Sequence, residues 1–64
     1  MYPDDFNKYG YEQLLDWRTR ILEELQQVEE QALDAGIDPT KLNVILEIGK
    51  ALGKVESEIR RFLE

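Results

Sequence analysis

Sixty-four residues make one domain at most, and a chain this short buries too little surface to be stable without a staple or an exceptionally well-packed core. There is no cysteine and no histidine, which removes disulfides, thiolate metal sites, the usual general base and the commonest metal ligand, and no cofactor is expected. The net charge is −6, and all of the excess lies in residues 1–37, with nine acids against three bases; residues 38–64 carry five of each. This distribution makes binding to nucleic-acid phosphates or anionic membranes unfavourable.

Residues 1–10 read as an aromatic arm. Tyr2, Phe6, Tyr9 and Tyr11 are four of the six aromatic residues in the chain, and Pro3-Asp4-Asp5 suggests a short capped turn. The segment is acidic where a signal peptide would be basic and then apolar. The longest apolar run, Val44-Ile45-Leu46, is far shorter than the ~20 residues a membrane-spanning helix needs. The expectation is a soluble, cytoplasmic protein. The arm has two readings: a flap that closes the open end of the fold near Phe62 and Leu63, or a patch of Tyr2, Phe6, Tyr9, Tyr11 and Trp17 that meets a partner.

From Tyr11 to Ala35 there is no Gly or Pro, and Leu, Glu, Gln and Arg dominate, which predicts a helix over 11–35. Leu14, Ile21, Leu25, Val28 and Ala32 form its central stripe, flanked by Trp17 on one side and by Leu15, Leu22 and Leu33 on the other. Arg18 stands inside the apolar arc; in an antiparallel pairing it faces Val55 and Glu56, so an Arg18–Glu56 ion pair is expected. Glu12, Asp16, Glu23, Glu30 and Asp34 line the outer face, either as a solvated surface or as a carboxylate ladder imitating a phosphate backbone.

Gly36-Ile37-Asp38-Pro39 reads as a compact stop and restart: Gly at the left-handed position past a helix end, Asp as the next N-cap, Pro at the first helical position. A second helix is expected over 39–63, so that 11–64 forms an antiparallel two-helix hairpin, an all-α fold. Ile45, Ile48, Leu52, Val55, Ile59, Phe62 and Leu63 make its stripe, with Val44 and Ala51 at one edge. At the other edge runs a second row: Leu42, Leu46, Gly49 and Gly53. With this row the apolar arc approaches about 220°, more than one antiparallel neighbour covers. Lys50, Lys54 and Arg61 share the exposed face with Asn43, Glu47 and Ser57, an ordinary solvated surface.

Two interior glycines cost roughly 1 kcal/mol each relative to Ala, and their spacing of four leaves an edge open to close approach by another helix. The expected interface is therefore Leu42, Leu46, Gly49, Gly53, Leu15 and Leu22, and the expected partner is a second copy, giving a homodimeric four-helix bundle. Another protein is the alternative occupant.

In length and architecture this hairpin resembles the Rop-type plasmid copy-number regulators, which are homodimeric four-helix bundles acting on paired RNA loops; their basic RNA face has no counterpart in the acidic first helix. It is also similar in size to the Spo0E-like hairpin phosphatases, whose Ser-Gln-Glu-Leu-Asp signature would fall where residues 48–53 read Ile-Gly-Lys-Ala-Leu-Gly. The leading expectation is a noncatalytic, self-associating adaptor, regulator or inhibitor. The alternatives are a Rop-like nucleic-acid regulator, an acidic DNA mimic, and a small all-α enzyme with carboxylates at a subunit interface.

Overall fold

The computed structural model describes residues 2–3 and 5–64; Met1 and Asp4, which belong to the expected arm and its capped turn, lie outside the described residues. Two helices, α1 (Tyr11–Asp34) and α2 (Asn43–Leu63), pack against each other, and the described residues contain no strand. At 1.5 Å per residue they are about 36 and 31 Å long, which accounts for the 41 Å long axis of the molecule.

Gly10 opens α1. Its carbonyl accepts from the Leu14 N–H at 3.0 Å, and its own N–H donates to Gln13 Oε1 at 3.0 Å, so a side chain one turn in satisfies a backbone donor at the helix entrance. The far end closes as the glycine signal requires. Ile37 N donates to the Ala32 carbonyl (2.8 Å) and Gly36 N to the Leu33 carbonyl (3.0 Å), the paired bonds of a Schellman motif. Gly36 takes φ +75°, a left-handed conformation that a Cβ would strain.

Asp38 then caps the restart: its Oδ1 accepts from Thr40 N (3.0 Å) and from the Thr40 hydroxyl (2.8 Å). The expected single helix over 39–63 is divided here. Pro39–Lys41 form one 3₁₀ turn, Leu42 is extended (φ −87°, ψ 127°), and α2 starts at Asn43. Bonds from Lys41 N to Asp38 O and from Leu42 N to Pro39 O close this tight turn, and the extended Leu42 re-aims the chain while half-burying its side chain. At the C-terminus of α2, Arg60 and Arg61 complement the helix dipole, and Glu58 accepts an ion-pair contact from Arg61 at 3.5 Å.

The core consists of Leu14, Ile21 and Ala32 from α1, Ile48, Ala51, Val55 and Ile59 from α2, and Phe6 from the arm. Leu25, Val28 and Leu52 of the expected stripes are only partly buried, and Phe62 and Leu63 are exposed. Ala51, assigned to an edge by periodicity, is a core residue instead. Phe6 of the arm is 2% exposed and belongs to the same buried cluster, so the hairpin has a third layer that helical periodicity does not describe.

Register follows from the open end. The Tyr11 and Phe62 rings meet at 5.8 Å between centroids, so facing residue numbers sum to about 73. Arg18 accordingly lies near Val55 and Glu56, yet no Arg18–Glu56 ion pair forms among the described residues: Arg18 is half-buried and Glu56 stays exposed. A screened surface pair gains too little to offset the rotamer freedom both side chains would lose.

Candidate interaction surface

The two long faces of the hairpin differ. On one, the arm folds back along α1 and builds an aromatic cluster on Trp17. Tyr2, Phe6 and Tyr9 approach its ring at centroid distances of 6.2, 6.0 and 6.4 Å, all edge-on, and the Arg20 guanidinium lies 5.5 Å from its centroid. A turn shapes the arm: Asn7 N donates to Asp5 Oδ1 (3.0 Å) and Tyr9 N to the Phe6 carbonyl (3.3 Å). Tyr11 alone reaches Phe62 at the open end. The flap therefore covers the side of the hairpin rather than its end, because Phe6 finds a buried slot there and Trp17 offers a broad apolar surface.

Tyr2 carries the buried polar oddity of this face. Its hydroxyl is enclosed without a hydrogen-bond partner among the described residues. Burial, and then the neighbouring Glu24 carboxylate, push the phenol up to about 12; Glu24 is close enough to oppose ionisation, although the two groups do not meet the geometry of a hydrogen bond. Beside the cluster lies a shallow cleft of about 180 Å³ lined by Tyr9, Gln13, Asp16, Trp17 and Arg20, open to solvent on one side. Its one cation and one carboxylate select no class of ligand. Among the described residues no group of three carboxylates converges on a point where a metal ion would sit.

The opposite face is bare. At 100° per residue, Leu15 and Leu22 stand about 80–100° round α1 from buried Leu14, and Gly49 about 120° round α2 from buried Val55, on the same flank; Gly53 and Leu46 lie about 160° and 180° round, toward the outer side of α2. Leu22 is 43% exposed and Leu46 56%; Leu15 and Leu42 are half-buried. Both glycines are exposed, and a Cβ built on either would meet nothing within 4 Å. Leu33, Ile37 and Val44 add further exposed apolar surface at the turn end. Of the six expected interface residues, Leu22, Leu46, Gly49 and Gly53 are exposed and Leu15 and Leu42 are half-buried, Leu42 in the extended residue before α2 rather than in the helix. Of the five expected patch residues, Phe6 is buried, Tyr2, Tyr9 and Trp17 are half-buried in mutual contact, and Tyr11 stands apart against Phe62.

The accessible surface is 4970 Å², whereas a globular monomer of 7.5 kDa exposes about 4,250 Å² by the general size scaling. The surplus of about 700 Å² is close to the ~800 Å² each partner covers in a standard stable interface. The radius of gyration, 13.0 Å against about 10.7 Å expected for this length, likewise reflects a flat, elongated body rather than a closed one.

Among the described residues, no helix is long and apolar enough to cross a membrane. No protein-family model matches the chain, and no curated protein or solved structure resembles it closely enough to carry an argument. Sequence reasoning missed Arg20 and Glu24. Arg20 is visible in hindsight as the residue three after Trp17, on the same side of the helix; Glu24 matters only because the arm brings Tyr2 beside it.

Proposed function

We propose that the chain is a noncatalytic protein–protein interaction module that acts as a homodimer, two hairpins closing face to face into a four-helix bundle. The observation that supports this most is the uncovered face itself, on which exposed leucines of α1 stand beside an exposed glycine edge of α2.

The second copy is favoured over an unrelated protein because the face is complementary to itself. With facing numbers summing to about 73, Leu22 stands level with residue 51, midway between Gly49 and Gly53. A two-fold axis running parallel to the helices keeps heights unchanged and places α1 of each copy over α2 of the other. Leu22 then enters the Gly49–Gly53 notch of its partner, and the reciprocal contact forms by symmetry. The exposed leucines meet the open space that the glycines leave, twice over.

A cysteine-free chain allows a direct test. An equimolar mixture of Leu22→Cys and Gly53→Cys chains is expected to form the mixed intermolecular disulfide readily under mild oxidation, whereas a mixture of Glu30→Cys, on the outer face of α1, with Gly53→Cys is expected to remain reduced. Equal cross-linking in both mixtures, or none between residues 22 and 53, contradicts the proposed face. The same preparations, mixed with duplex and hairpin nucleic acids at low salt, are expected to show no mobility shift.

A further inference from the structure

Side chains alone hold the arm on its face. Among the described residues, no backbone hydrogen bond joins residues 2–9 to either helix; the arm's own bonds, Tyr9 N to Phe6 O and Asn7 N to Asp5 Oδ1, are internal to it. Attachment rests on side chains alone: Phe6 in its slot, and the edge-on contacts of Tyr2, Phe6 and Tyr9 with Trp17. The arm's far end is held imperfectly, because the enclosed Tyr2 hydroxyl has lost water without gaining a partner. The hydrogen bonds within each helix, and those that close the turn, do not involve the arm. A segment with few buried anchors and no backbone ties belongs to the low-stability end of a fold.

We infer that the arm is a releasable strap: residues 2–9 detach as a unit from the Trp17 face while the two-helix hairpin stays folded, uncovering a second apolar face that is closed in the ground state. Its opening exposes Trp17 and empties the Phe6 slot, which lie at the centre of the newly uncovered surface. The inference does not depend on the homodimer, since every contact it uses lies within one chain.

Trp17 is the only tryptophan and sits at the seam between strap and hairpin, so its fluorescence reports strap closure while far-ultraviolet ellipticity reports the helices. In a urea titration of the full chain, the Trp17 emission and its energy transfer from tyrosine are expected to change at lower urea than the ellipticity. The Trp17 transition is expected at the same urea across a hundredfold range of protein concentration. Phe6→Ala is expected to move the Trp17 transition further down and to leave the helix midpoint where it was, the strap being already open when the helices melt. Coincident transitions in the natural chain, or Phe6→Ala lowering both midpoints together, overturn the inference. A helix midpoint independent of concentration would count against the homodimer and leave the strap standing, so the two failures are distinguishable.

Discussion

Leu46→Glu separates a face that pairs from one that merely tolerates water. Leu46 is 56% exposed in the single chain, so a partner that covers it removes somewhat more than half of its side chain from water. Complete burial of a leucine contributes roughly 1.5–3 kcal/mol, which leaves about 1–1.5 kcal/mol per copy, or about 2–3 kcal/mol for the two copies related by symmetry. At tenfold per 1.4 kcal/mol, that weakens the dimer by roughly 30- to 150-fold before any cost of desolvating the glutamate, which adds to it. Within an isolated hairpin the same substitution lies on the surface and changes stability by no more than about 0.5 kcal/mol. Sedimentation equilibrium and thermal melting, each at several concentrations, decide the matter. The natural chain is expected to melt at a temperature that rises with concentration, and the variant to sediment as a monomer with a lower, concentration-independent melting temperature. Identical mass and melting for the two chains would refute the reasoning.

Three further outcomes follow from particular residues. Gly49→Ala and Gly53→Ala would each stabilise a solvent-facing helix by about 1 kcal/mol; in the dimer the added methyl occupies the notch meant for Leu22, so melting at high concentration is expected to show less than this gain, and the full gain at every concentration would place the glycines outside the interface. Gly36→Ala is expected to destabilise by about 1–2 kcal/mol in urea unfolding, because φ +75° at the helix end costs a Cβ-bearing residue that much; an unchanged midpoint would argue against the Schellman closure. Tyr2, raised from 10.0 to about 12 by burial and by Glu24, contributes stability that is complete below about pH 10 and is lost as the pH climbs through about 12. Trp17 emission is expected to report loss of the arm over that range in the natural chain but not in Tyr2→Phe, and identical alkaline profiles would exclude Tyr2 as the cause.

Local chemistry made the hairpin readable and left its third layer hidden. Gly36, Asp38 and Pro39 each have one conformational use, and the three in near succession permit little besides a helix end, a cap and a restart. The apolar stripes located Leu14, Ile21, Val55 and Ile59 because a helix repeats every 3.6 residues. The arm has no period. Which side of the hairpin Tyr2, Phe6 and Tyr9 cover depends on where a slot opens between the two packed helices, which no periodicity encodes. The break at Leu42 was equally hidden, because Asp38 and Pro39 suit a 3₁₀ turn as well as an α-helix. The exposure of Leu22 and Leu46 was legible because both lie on regular helices, whereas Leu42 falls in the extended residue before α2.

Self-association is the claim on which the functional reading depends, and the mass of the full chain in solution tests it most directly. Light scattering on a sizing column at high micromolar concentration is expected to return twice the 7.5 kDa chain mass, falling toward the single-chain value on dilution. A mass of one chain at every concentration, from a protein whose helices are fully formed, would contradict it.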